Sequence, residues 1–352
     1  MLLARLGLGA VDAAADLTRF AGRNESWAAV TDRGHQVFIK KFHGSAEDAG
    51  RRMRRSADFE NVLAKAGPLA GLDAPRCLGW DEASRLLLFE FIPGVRSGAD
   101  LESSAQFGDD LAHRVGVAIG TLHTLPGDCG GPAGQEGAYD FRPLLPSLAL
   151  LDALPLTVFA AASAAELQAW RLMQQDTRLI AAVGELLSQE RVATHTSAHC
   201  DLRLEQVLAA DDRLCVCDWE EFRQADPARD VGSFAGEWLH RAVVGLASGD
   251  GELAEGGTLS HDEMLDRVTA GLERARPKVA AFWSGYSRVR SAADSTLAER
   301  ATAFAGWHLF DRMLAVAGRS PRLGAVQRAA AGIGRNAMIT PAAFAGTIGL
   351  DW

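Results

Sequence analysis

The chain has 352 residues, 48% of them hydrophobic and 23% charged, enough to bury its own core as one large domain or as two smaller ones sharing a cleft. A formal net charge of -9 disfavours a broad basic face for nucleic acid or an anionic membrane and leaves room only for a local basic patch. No run reaches about 18 uncharged apolar residues and no leader pattern opens the chain, so a cytoplasmic protein without a membrane span is expected.

Of 36 basic residues only four are lysines, Lys40, Lys41, Lys65 and Lys278, which makes the adjacent pair conspicuous. The five cysteines form no C-x-x-C and no zinc spacing, and Cys215 and Cys217 read as free thiols on one face of a strand.

Residues 27 to 42 predict two short strands around a turn at Thr31-Asp32-Arg33-Gly34, because W-A-A-V and H-Q-V-F-I-K-K-F are rich in β-branched and aromatic residues. Alternation places Phe38, Lys40 and Phe42 on one face and Val37, Ile39 and Lys41 on the other. A helix follows over 45 to 66, with Met53, Ala57, Glu60 and Ala64 on its inward stripe. Glu60 then needs a partner, and the Arg51, Arg52, Arg54 and Arg55 cluster reads as a solvated face, with an anion or acidic-peptide contact as the alternative. Strands near 77 to 80 and 85 to 92, the second stopped by Pro93-Gly94, complete a sheet of about five strands.

An amphipathic helix over 106 to 125 carries Leu111, Val115, Ile119 and Leu122 on one stripe. A Gly-rich loop over 126 to 139 precedes one helical stretch over 164 to 189, then short strands over 192 to 222. Helices are expected over 230 to 247, 260 to 285 and 292 to 317, with Trp170, Trp238, Trp283 and Trp307 as core residues and His123 and His308 as structural histidines. The last stretch, 323 to 352, is small and weakly patterned and predicts no element. The fold class is α+β and bilobal, with a sheet-bearing front lobe over 1–92 and a mainly helical back lobe over 93–352.

Chemistry concentrates in H-C-D-L-R-L-E-Q-V-L over 199 to 208, L-C-V-C-D-W-E over 214 to 220 and A-D-P-A-R-D over 225 to 230. Asp201 lies in a loop, Gln206 follows by five, and Asp218 ends an apolar strand. A hairpin that joins two carboxylates and an amide can hold Mg2+ and a hydroxyl together. A hard cation takes oxygen ligands, and phosphoryl transfer needs acceptor, phosphorus and leaving oxygen in line.

This set resembles the aminoglycoside phosphotransferase-like kinases, relatives of the protein-kinase fold. Their signature is H-G-D-x-x-x-x-N-(I/V)-L, then (I/V)-D-(F/W)-E, then D-P-A-x-D. The order of elements agrees over roughly residues 20 to 315. The resemblance implies ATP and Mg2+ as cofactors. It implies Asp201 as the residue that orients a hydroxyl and accepts its proton, with His199 bracing the loop. It further implies Asp218 as the principal Mg2+ ligand, Gln206 at the usual Asn ligand position, and Glu220 beside a second ion. Asp226 and Asp230 become structural carboxylates.

In the front lobe the resemblance implies that Lys40 holds the ATP phosphates and Glu60 holds Lys40. Gly22, Arg23, Asn24 and Ser26 occupy the phosphate-covering loop, which is no G-x-G-x-x-G. Glu90, Phe91 and Ile92 form a hinge whose backbone reads the adenine edge.

Three departures stand out. Cys200 replaces the usual Gly, which requires a backbone that an L residue can adopt. It reads as a packed small residue. Gln206 replaces Asn, a lengthening of about 1.5 Å that leaves metal ligation and loop-shaping both open. Arg203, two residues after Asp201, either neutralises the transferring phosphoryl group or makes a surface ion pair.

The acceptor is a hydroxyl on a small molecule or on a precursor peptide. A cationic sugar is compatible with the acidic balance. D-W-E-E-F and A-R-D-V-G-S-F-A-G-E-W are similar to the kinase-like subunits of lanthipeptide and thioamitide dehydration systems, which implies a Ser/Thr acceptor and a separate lyase partner. A third reading is a binding or scaffold subunit in which the Cys200 and Gln206 changes have removed turnover.

Overall fold

Five short strands form the front sheet in the order β1-β2-β3-β5-β4, antiparallel throughout: β1 Thr18–Phe20, β2 Glu25–Val30, β3 Gln36–Lys41, β4 Cys77–Asp81 and β5 Leu86–Glu90. The structure is a computed structural model that describes residues 2–11, 17–20, 24–67, 69–125, 145, 147–210, 213–248, 261–290 and 294–351.

Alternation makes the sheet two-faced. On one face Ala29, Val37 and Leu88 pack with Leu2 of α1 (Leu2–Arg5), a short helix that the sequence pattern misses. On the other, Phe42 and Leu87 pack with Ala49 and Met53 of α2 (Ala46–Ala66). Ser45 caps α2 by accepting from the Asp48 N–H, and Glu47 and Asp48 favour the positive end of its dipole. Lys40 is buried and Lys41 exposed, as the alternation expects.

The β5 edge leads into β6 (Arg96–Ser97), α3 (Gly98–Ser103) and α4 (Asp109–Thr124). Beyond the Gly-rich segment, most of which lies outside the described residues, come α5 (Leu148–Asp152), α6 (Leu156–Ala161), α7 (Ala164–Gln174) and α8 (Thr177–Val192). The single helix expected over 164 to 189 is in fact two. Asp176 caps α8 by accepting from the Leu179 N–H and is also held by Arg335, so the chain restarts there.

Next are β7 (Thr196–Ala198), β8 (Val207–Ala210), β9 (Arg213–Val216) and β10 (Arg223–Ala225). β6, β8 and β9 form one small sheet, and β7 pairs β10 in another. The back lobe closes with α9 (Ala228–Ser248), α10 (His261–Val289), α11 (Leu297–Ala317), α12 (Ala325–Ile339) and α13 (Pro341–Ile348). The last two correct the expectation of no element after 323. Both are rich in Ala, whose small side chains bury little bulk, yet Ala330, Ala331, Ala337 and Met338 of α12 and Ala345 and Ile348 of α13 are buried.

Small residues set these crossings. A Cβ on Gly116 of α4 would meet the Phe282 carbonyl oxygen of α10 at 2.0 Å, and one on Gly232 of α9 would meet the Ala301 carbonyl oxygen of α11 at 2.5 Å. The close α9–α11 approach fixes the floor beneath the 199 to 220 segment. Among the described residues no helix is long and apolar enough to cross a membrane.

Candidate active site

The loop from His199 to Gln206 is held by a buried carboxylate. Asp230, in the first turn of α9, accepts the His199 N–H and the Cys200 N–H, each at 2.7 Å. Its Oδ2 also meets His123 Nε2 at 3.0 Å, while His123 Nδ1 meets the Tyr286 hydroxyl at 3.0 Å. Burial works against the charge on Asp230, but the His123 hydrogen bond and charge outweigh it and keep its pKa below the usual range. Asp226 grips Arg300 through two bonds of 2.7 and 2.9 Å.

Both carboxylates therefore serve the scaffold, as the sequence implies. Cys200 sits at φ 64, the left-handed region, at a cost of about 1–2 kcal/mol that the two bonds to Asp230 offset. Burial pushes its thiol up to about 12, so it is a packing residue.

His199 ties this loop to the next. Its Nδ1 accepts the Asp201 N–H at 3.3 Å, which leaves Nε2 to donate to the Cys217 carbonyl oxygen at 2.9 Å. The Cys217 N–H in turn donates to the Gln206 carbonyl oxygen at 2.9 Å. Trp219 stacks on Phe59 of α2 with ring centroids 3.6 Å apart, and Phe59 is fully buried, worth about 1.5–3 kcal/mol. Cys215 lies in β9 as expected, whereas Cys217 falls beyond the strand end.

Asp201 is one-third exposed, and its carboxylate receives Arg203 Nη2 at 2.9 Å and Gln206 Nε2 at 3.5 Å. Burial is the main cause that pushes its pKa up to about 6, against the pull of Arg203 and with the push of Asp218. Gln206 is buried, and its Oε1 has no hydrogen-bond partner among the described residues. An orphaned amide oxygen on a side chain that bonds the Asp201 carboxylate suits a hard cation, and Gln206 and Asp218 are the residues whose oxygens could hold Mg2+ here.

Asp218 sits at φ 71, also left-handed, just past β9. Its carboxylate pairs with Lys40 Nζ across the lobes, and Glu220 pairs with the same ammonium. Burial lowers the affinity of Lys40 for its proton, but the two carboxylates overcome it, and its pKa rises above the usual lysine value. Burial likewise opposes the charge on Asp218, and Lys40 overcomes it.

Here the expectation for Glu60 is corrected. The carboxylates on Lys40 are Asp218 and Glu220, whereas Glu60 accepts a backbone hydrogen bond from Cys77 and is raised above the usual range mainly by burial. The α2 side chain that enters the site is Arg52, two turns earlier, only 1% exposed. Arg52 Nη2 donates to Glu220 Oε1 at 2.6 Å and to Asn24 Oδ1 at 2.9 Å, and Nε donates to the same Glu220 oxygen at 3.2 Å. Asn24 Nδ2 meets Glu220 Oε2 at 3.1 Å.

Both oxygens of Glu220 thus accept from protein donors, Lys40, Arg52 and Asn24. The arginine cluster is not a solvated face: Arg52 and Arg55 turn inward, Arg55 onto Glu221 at 2.6 Å. The signal for both was in the sequence, since 52 and 55 lie on the same stripe as 59 and 62.

Among the other expected residues, Ser26 pairs across the sheet with Lys40, one strand from the site. Gly22 and Arg23 lie outside the described residues. In the hinge, the Glu90 N–H donates to the Arg76 carbonyl oxygen at 2.9 Å and the Phe91 N–H to that of Gln36 at 3.2 Å.

Below Asp201 lie α9 and α11. Glu237 is pulled down to about 2: burial opposes this, but His308 at 3.2 Å and Arg241 at 3.0 Å prevail. Arg241 also reaches Glu102 at 3.1 Å and Glu205 at 3.4 Å. The charge of Arg312 reaches Asp201, and the Nε atoms of both Arg203 and Arg312 are buried without a partner among the described residues.

A family model for the phosphotransferase enzyme family, APH, matches residues 16–280. The chain belongs to this family. Its members are ATP-dependent phosphotransferases, kinases that typically work with Mg2+. No curated protein matches the chain.

Among solved structures this phosphotransferase resembles the choline kinase LicA from Streptococcus pneumoniae, with 14% identity, TM-score 0.51 and coverage of 96% of this chain and 98% of that one. It also resembles a spectinomycin phosphotransferase solved with ADP and spectinomycin, with 11% identity, TM-score 0.54 and 98% coverage of both chains. An amicoumacin kinase solved with AMP-PNP and calcium gives 14% identity, TM-score 0.54 and coverage of 97% and 93%. At these identities the likeness is one of fold, and it agrees with the bilobal architecture above.

Proposed function

We propose that this phosphotransferase moves the γ-phosphoryl group of ATP to an alcohol held between Asp201 and the floor formed by α9 and α11. The observation that carries the reading is the meeting of Lys40 from the front lobe with Asp218 from the back lobe, next to a carboxylate, Asp201, whose pKa of about 6 suits a proton acceptor. In the reaction the hydroxyl oxygen bonds to the γ-phosphorus, its proton passes to Asp201, and the bond to the β–γ bridging oxygen breaks with its electron pair leaving on ADP.

Lys40 holds the phosphates, and Arg203 faces the transferring group while bonded to Asp201. Asp218 and Gln206 are the residues that would hold Mg2+, which when bound neutralises phosphate charge. Glu90 and Phe91 have committed their N–H groups, so a hinge N–H for an adenine edge would come from Ile92.

For the acceptor, charge favours one class. A polycationic sugar wants uncommitted carboxylates, yet Glu102, Glu205 and Glu237 are all held by Arg241, and Arg203 and Arg312 both act on Asp201. A peptide Ser/Thr hydroxyl, the reading that would also call for a lyase partner, suits this floor better than an aminoglycoside. Incubation with Mg-ATP and each acceptor class, followed by mass spectrometry, tests it: added phosphate on Ser/Thr peptides supports the reading, and phosphate on aminoglycosides alone overturns the choice of acceptor.

A further inference from the structure

Two carboxylates, Asp218 and Glu220, lie against one ammonium, Lys40, in a nearly buried setting. One cation cannot compensate two buried anions, and an uncompensated buried charge is expensive. The second cation is Arg52. Its guanidinium is 1% exposed and spans Glu220 Oε1, Asn24 Oδ1 and, at 3.4 Å, the His43 carbonyl oxygen just past β3. It also lies over the Phe42 ring, 4.7 Å from the centroid. Lys40 and Arg52 thus offset Asp218 and Glu220, with the partly exposed Asp48 at 3.5 Å from Arg52 Nη1, and both oxygens of the Glu220 carboxylate are used.

We propose that Arg52 is a positioning residue for the nucleotide phosphates, acting on Lys40 through Glu220 and on the edge of the phosphate-covering loop through Asn24. The inference rests on the kinase reading above. Were Asp218 to hold a metal, Lys40 would keep Glu220 as its anchor. Glu220 can keep that place only because Arg52 grips it from α2 with a two-nitrogen fork, a geometry that lysine does not reproduce. The usual arrangement implied by the sequence is therefore transposed: α2 supplies the cation, and the loop after Asp218 supplies the carboxylate that holds Lys40.

The test is Mg-ATP binding by titration calorimetry, with melting temperatures recorded beside it, on the whole chain. Arg52→Gln and Glu220→Gln should each weaken Mg-ATP binding by about tenfold or more. The double variant should be no weaker than either, since both remove the same link. Arg52→Lys should recover part of the loss. An Arg52→Gln protein that melts lower yet binds Mg-ATP as wild type does, at a temperature where it is folded, gives Arg52 a structural role only and overturns the inference while the kinase reading stands. Should that variant not fold, wild-type affinity in Arg52→Lys and in Asn24→Ala overturns it equally. A wild-type protein that binds no Mg-ATP overturns both readings together.

Discussion

The two sides of Asp201 are built on opposite plans. Toward the front lobe, charges are matched before any ligand arrives: Lys40 lies on Asp218 and Glu220, and Arg52 on Glu220 and Asn24. Toward α9 and α11, the site keeps polar atoms without partners among the described residues, the Gln206 Oε1 and the Nε atoms of Arg203 and Arg312. The first plan gives a rigid seat that costs little to keep folded, and the second keeps buried hydrogen-bonding capacity that a shift of these side chains would offer to what binds.

Removing the matched side should have the largest effect. Lys40→Ala leaves Asp218 without its cation and Glu220 with Arg52 alone, a loss of about 3 kcal/mol or less because Asp218 stays partly exposed. The expected result is loss of transfer with a lower denaturant midpoint, and an undiminished midpoint would show that the seat is not pre-paired. On the unsatisfied side, Gln206→Ala should raise the magnesium needed for half-maximal turnover by about tenfold and also lower the midpoint, because a buried side chain and its bond to Asp201 are lost together with the unpartnered Oε1. Gln206→Asn, which restores the family residue, should lie near wild type. An unchanged magnesium requirement in Gln206→Ala would make that side chain a mere loop former.

A pH profile sharpens the same contrast. Asp201 must be ionised to take a proton, so kcat/KM should fall below about pH 6 and level off above it. The sign for stability is opposite. Because the folded pKa is raised, the folded chain holds that proton more tightly than the unfolded one, and the contribution is fully present below the ordinary aspartate value and is lost as pH rises through about 6. Asp201→Asn should therefore melt higher than wild type near neutral pH. The smallest effect is expected at Cys200→Gly. Relief of the left-handed backbone offsets the added freedom of glycine, leaving a change below about 1 kcal/mol and intact transfer.

Much of this was legible in the sequence, and the failures have physical causes. The strand alternation separated Lys40 from Lys41, and local spacing puts Gln206 and Asp218 at the two ends of the β8–β9 hairpin, with Asp201 in the loop that leads into it. Glu60 failed because helical periodicity shows which side chains face inward but not which one faces another lobe. Arg52 was hidden by composition, since four arginines within five positions look solvated until the distant Glu220 and Glu221 are folded against them. α12 and α13 were missed because Ala and Gly pack by closeness rather than by bulk: a Cβ on Gly334 would meet the Gly306 carbonyl oxygen at 2.5 Å.

The central claim is that Asp201 completes a seat for phosphoryl transfer to a hydroxyl. Its most direct test follows the γ-phosphoryl group of labelled Mg-ATP in wild type and Asp201→Asn side by side, with nucleotide binding measured in both. The account predicts that wild type moves the label to a hydroxyl acceptor, and that Asp201→Asn binds Mg-ATP equally well but transfers about 10²–10⁴-fold more slowly. Equal transfer by the two proteins would contradict it.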